Sequence, residues 1–154
     1  MTSDQFHSLL QELARASGLQ EGSGLLEHGR VRIGDFDAVL EHEPRYDAKL
    51  LQVRVMLGAV GDGERDIIVR GLLEANYAHG YGGECIFSIY PGSEDVVVTL
   101  KVRLTESTDA KALWQQLSDV TRHGSELWEG IAAKARPSGG LFQPNFHLSR
   151  PQVV

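Results

Sequence analysis

The stretch Leu40-Glu41-His42-Glu43 sets two carboxylates and an imidazole within four residues, the donor types that hold a divalent cation or move a proton. Their spacing divides them. The run from Phe36 reads as a strand, so Glu41 and Glu43 share one face, about 7 Å apart, and His42 points to the other. A metal needs three or four converging ligands, and this strand offers two on its solvent side. His28, beside Glu27 in a turn, and His79, at a helix end where a cation complements the dipole, fit structural roles. Cys85 alternates in register with Phe87 and Ile89 on an apolar face, which reads as a small core residue rather than a nucleophile with a base beside it. As the only cysteine, it also excludes an internal disulfide.

A second candidate is the glycine cluster in LLEANYAHGYGGECIFSIYPG, residues 72–92. Phosphate-cradling loops run strand, glycines, helix, so that free helical N–H groups meet the anion. Here the order is reversed: Gly80 follows a helical pattern as a C-cap, and Gly82 and Gly83 lead into a strand. No GxSxG, HExxH or phosphate-loop pattern occurs, so neither a catalytic residue, a metal nor a cofactor is expected. Lys plus Arg number 15 against 21 Asp plus Glu, a net charge of −6. With no basic run to track a phosphate backbone, nucleic acid is not an expected partner. No apolar stretch approaches the roughly 20 residues that cross a bilayer, so a membrane is not expected either. A soluble protein of a reducing, cytoplasmic compartment is the expectation.

The elements that position these residues follow from periodicity. Phe6, Leu9, Leu10, Leu13 and Ala14 keep helical spacing, with Thr2 and Gln5 in capping-box register and Gly18 as a stop. From Arg30 the period becomes two: a strand through Val31 and Ile33, a Gly34-Asp35 turn, a strand over FDAVLEHE, and a third with Leu51, Val53, Val55 and Leu57 on one face. Ile68 to Tyr77 return to helical spacing. ECIFSIY, the turn PGSE and DVVVTLKVRL form a hairpin. Asp109 caps a long helix through Leu113, Leu117 and Trp128 that ends before Pro137. The order α-β-β-β-α-β-β-α predicts an α+β fold, a mainly antiparallel sheet with helices packed on it. Residues 1–136 read as one domain, and 137–154, with three prolines among its eighteen residues, as an irregular tail.

The second helix of this scheme is apolar around more than half its circumference and carries Gly71 mid-helix, where glycine costs about 1 kcal/mol relative to alanine. Such a cost implies close helix approach. It points to a homodimer built on Ile68, Gly71, Leu72 and Tyr77 of the helix and Ile86 of the strand after it; the alternative is a helix buried within its own domain.

Taken together, LLQELARASGL, GRVRIGDFDAVLEHE, LLQVRVMLGAV, the central GLLEANYAHGYGGECIFSIYPGSEDVVVTLKVRL and LWQQLSDVTRHGSELWEGI resemble the Tir chaperone family, the class I chaperones of bacterial type III secretion. The resemblance spans about residues 5–135. It implies a homodimeric, ATP-independent chaperone that binds an extended segment near the N-terminus of an effector, with the secretion ATPase as a further partner. It also implies apolar grooves formed by the first helix and first sheet segment, and an effector strand added at a sheet edge. Placed by element, Leu10, Leu13, Val39, Leu50 and Met56 are the groove candidates, with plain core packing as the alternative for each. Two other readings stand beside this one. A small metal-dependent enzyme would need Glu41, His42, His28 and His79 to converge, and an adaptor of the same fold would have no link to secretion.

Overall fold

The computed structural model describes residues 3–18, 24–79 and 85–136. Its elements are α1 (Ser3–Ala16), α2 (Gly24–His28), β1 (Arg30–Ile33), β2 (Phe36–His42), α3 (Pro44–Asp47), β3 (Leu50–Ala59), α4 (Arg65–His79), β4 (Cys85–Ile89), β5 (Asp95–Arg103) and α5 (Ala110–Ala135). The expected order holds, with two short helices added. α2 follows α1, and α3 is started by Glu43, whose carboxylate accepts from the Arg45 N–H at 3.4 Å, with Pro44 in the first turn. Glu43 therefore caps a helix and does not share a strand face with Glu41. The expected tail, 137–154, lies outside the described residues, as does Gly80 with its expected cap.

All five strands pair antiparallel in the order β1-β2-β3-β5-β4. The two-residue period sorts each strand. Val31 and Ile33, Ala38 and Leu40, Leu51, Val53, Val55 and Leu57, Val96, Val98 and Leu100, and Phe87 are buried on one face. Helices close over that face: Leu9, Leu10 and Leu13 of α1, Ile68 and Leu72 of α4, and Leu113, Leu117, Trp128 and Ile131 of α5 join the same cluster. On the other face Arg30, Arg32, Asp37, Glu41, Lys101 and Arg103 are exposed and Val39, Leu50 and Met56 half-buried. Val97 and Thr99, in the central strand β5, are buried there too.

The long helix α5 starts where expected, with the Asp109 carboxylate accepting from the Ala112 N–H at 2.7 Å. Its approach to the rest of the core uses small residues. A Cβ on Gly124 would stand 3.2 Å from Val98 Cγ1, and one on Gly71 would stand 2.7 Å from Ile131 Cγ2. The mid-helix glycine of α4 is thus explained by α5 of the same chain. Alanine at position 71 would gain about 1 kcal/mol of helix propensity but overpack against a β-branched side chain. Gly71→Ala is expected to destabilise the protein by about 1–2 kcal/mol in urea unfolding, and to cost less in an Ile131→Ala background, the coupling that a double-mutant cycle reads.

Candidate functional site

The residues first suspected of chemistry are dispersed. Glu41 pairs with Arg54 of the neighbouring strand. His42 stacks on Phe6 of α1, ring centroids 4.4 Å apart, and its Nε2 donates to the Ala48 carbonyl at 3.1 Å. His28 and Glu27 lie 3.7 Å apart, both exposed, and His79 is the last residue of α4. Cys85 is half-buried at the start of β4. Among the described residues no three His, Cys, Asp or Glu side chains are grouped to hold a metal, and no helix is long and apolar enough to cross a membrane.

What the fold builds instead is surface relief around β2. Where β1 stops, β2 runs on. Gly29 still accepts from the Leu40 N–H at 2.7 Å, and beyond it a cleft of about 460 Å³ opens between Phe6, His7 and Leu10 of α1, Leu26 of α2, residues 40–42 of β2 and Glu43. On the opposite sheet face a second cleft, of about 570 Å³, is floored by Val39 and Met56 and flanked by Arg30 and Arg32. The five groove candidates are therefore not one groove. Leu10 borders the first cleft while 5% exposed, Val39 and Met56 share the second, and Leu50 is half-buried opposite Arg103. Leu13, at 0% exposure, is core. The cause is strand alternation: Leu40 and Val39 are neighbours in sequence and point to opposite faces.

The dimer candidates divide in the same manner. Ile68 (0%) and Leu72 (4%) are buried within the protomer, and Gly71 faces Ile131, so these three belong to internal packing. Tyr77 (80%) and Ile86 (44%) stand exposed, joined by Leu73 (64%) and Tyr90 (44%). Asn76 locks this region together: its side-chain amide donates to the Phe87 carbonyl at 2.9 Å and accepts from the Phe87 N–H at 2.8 Å. β4 is an edge strand, and Asn76 occupies its outward hydrogen-bonding groups at mid-strand. At the other edge, the start of α2 lies against β1, with a Cβ on Gly24 placed 3.7 Å from the Arg30 carbonyl. Neither the Asn76 cap nor the Arg30 and Arg32 flank was assigned from sequence. A polar residue recurring within an apolar helix just before a strand was the available signal for the first, and the alternation of arginine with Val31 and Ile33 for the second.

A third cleft lies between α4 and α5, lined by Ile67, Gly71, Ala75, Leu127 and Gly130. At its rim Arg70 donates to Glu74 at 2.9 Å, and that bond, with the carboxylate's charge, raises the guanidinium's pKa.

No protein-family model and no curated protein matches this chain. Solved structures do. A chain of the ExsC–ExsE complex superposes with a TM-score of 0.62 at 19% identity, covering 83% of this chain and 93% of that one. A chain of the HopA1–SchA chaperone–effector complex superposes with a TM-score of 0.55 at 15% identity, covering 82% and 98%. This chain shares the fold of these two neighbours. The α+β architecture expected from the order of elements is borne out, and the likeness runs over nearly the whole length of both neighbours.

Within this fold, core and cleft residues should respond differently to truncation. Leu13→Ala is expected to cost about 2–5 kcal/mol in denaturant unfolding, as a fully buried leucine does. Val39→Ser and Met56→Ser, at half-buried positions on the outer sheet face, should each cost about 1 kcal/mol or less.

Proposed function

We propose that this protein is a type III secretion chaperone that binds the N-terminal region of a cognate effector and keeps it soluble, partly unfolded and competent for secretion. The observation that carries the reading is the fold shared with a chain of a chaperone–effector complex over most of both lengths. The sequence resemblance to the Tir chaperone family points the same way. The protein works without catalysis, metal or nucleotide, in the bacterial cytoplasm, as a virulence-associated partner of the secretion apparatus and its ATPase.

The physical demand on such a protein is set by its client. A disordered segment loses roughly 1–2 kcal/mol per residue fixed, and apolar burial at about 25 cal/mol per Å² is the main compensation. The clefts around β2 supply apolar floors for that burial: Phe6, Leu10 and Leu26 on the helix side, Val39 and Met56 on the sheet side. Main-chain pairing is restricted, because α2 and Asn76 each sit against a sheet edge. The stretch of β2 beyond Gly29 is the place where a client strand has room to pair.

The active form is a homodimer. Leu73 and Tyr77 on α4 and Ile86 and Tyr90 in and after β4 are large apolar side chains left exposed by the protomer, and they flank the same Asn76-pinned junction. A twofold contact through them buries what the single chain cannot.

Light scattering on the purified protein should give twice the 16.9 kDa chain mass. Leu73→Arg with Tyr77→Arg should halve it without loss of fold, since both positions are exposed within the protomer. A monomeric wild type, or a dimer indifferent to both arginines, would overturn the assignment. For the client, affinity capture from the native cell should recover a secreted protein whose N-terminal segment becomes protease-resistant in the complex. Val39→Ser with Met56→Ser should weaken that capture while leaving the dimer mass unchanged; capture that requires added ATP would count against the reading.

A further inference from the structure

The outer face of the sheet carries a charge opposite to that of the chain. Strand register places Arg30, Val39, Arg54 and Thr99 in one row across β1, β2, β3 and β5; Arg32 faces Asp37; Glu41, Gln52 and Lys101 form a further row; and Leu50 faces Arg103. Five cations thus share this face with two carboxylates, in a chain of net charge −6. Two of the five are already neutralised: Arg54 pairs with Glu41, and Arg103 with Asp47 at 3.4 Å. Arg30 and Arg32 are exposed. Among the described residues their one side-chain hydrogen bond runs from the Arg32 guanidinium to the Asp35 carbonyl at 3.4 Å. Between these arginines and the half-buried Val39 and Met56 lies the cleft of about 570 Å³, with Asp37 as the one carboxylate among its described lining residues.

Guanidinium groups on an edge strand have a defensive use, since charge there discourages edge-to-edge pairing. That use does not require an apolar floor beside them. Nor does the surface suit a nucleic acid: a polyanion would be repelled by the chain as a whole, and two arginines do not track a phosphate backbone. An acidic peptide fits both features. Residues two apart on a strand lie about 7 Å apart on one face, and carboxylates two apart in an extended peptide match that interval, each accepting charge-assisted hydrogen bonds from one guanidinium.

We propose that the Arg30–Arg32 cleft selects an acidic stretch of the bound segment, in which two carboxylates spaced two residues apart engage Arg30 and Arg32 while an adjacent apolar side chain seats on Val39 and Met56. The proposal rests on the chaperone reading above and names the chemistry of the client at one of its clefts. The remainder of the client is held elsewhere by apolar contact, so the arginines set which segment docks here.

The test uses the full-length dimer and short fluorescein-labelled synthetic peptides read by anisotropy. One peptide carries the core Asp-Leu-Glu-Val-Asp, a second the uncharged Asn-Leu-Gln-Val-Asn, and a third the core Lys-Leu-Lys-Val-Lys. The acidic peptide is expected to bind about tenfold more tightly than the amide peptide, the ratio two modest ion pairs produce. Arg30→Ala with Arg32→Ala should erase that ratio. Arg30→Glu with Arg32→Glu should transfer the preference to the lysine peptide, a rescue that loss of fold cannot imitate. Equal affinity for acidic and amide peptides, an acidic preference untouched by the alanine pair, or preference for a single-stranded oligonucleotide over the acidic peptide would overturn the proposal. If the arginine dependence is missing while a secreted client is still captured, the cleft assignment alone falls. If the dependence is present and no secreted client exists, the chaperone reading falls and the cleft stands.

Discussion

A five-stranded antiparallel sheet has two faces, and the described helices cover one of them. That constraint organises everything else. Because side chains alternate along each strand, Leu51, Val53, Val55 and Leu57 enter the helix-covered core, while Gln52, Arg54 and Met56 between them lie on the other face, away from those helices. The core face takes the branched aliphatics and the leucines of α1, α4 and α5. The outer face carries longer, amphipathic side chains whose stems cover apolar ground while their heads stay wet. Surface available for recognition is what the strand period leaves over once the core has been filled.

Elements with a long period were readable from the residues. The alternation of Leu51, Val53, Val55 and Leu57 matches the observed burial, and Asp109 caps α5 as its position implies. The short helices were not readable, for a physical reason: four or five residues do not complete two helical turns, so α2 and α3 have no repeat to detect. Glu43 shows the effect most plainly. As part of LEHE it continues the alternation of β2, yet the proline that follows has no N–H to give a ladder, and the carboxylate is spent on starting α3 instead.

The candidate site was legible by residue type and less so by address. Val39 and Met56 do line a cleft, whereas Leu13, equally apolar and on the expected helix, is sealed in the core. Periodicity assigns a residue to a face of its own element and says nothing of whether another element covers that face. Gly71 illustrates the same limit. A glycine in the middle of a helix implies that something comes close, and only the placement of α5 shows that the close neighbour is Ile131 of the same chain. The exposed remainder of α4, Leu73 and Tyr77, is defined by what α5 does not reach.

The paired hydrogen bonds from Asn76 to Phe87 have a bearing on how far assembly can go. An edge strand with open main-chain groups is a template, and each strand it recruits presents a fresh edge in turn, so growth has no natural end. Here the amide of a helix residue stands in for a neighbouring strand at the middle of β4. Anything meeting this border finds side chains and a helix rather than a ladder waiting to be extended. An interruption at mid-strand works against open-ended ladder growth across this border.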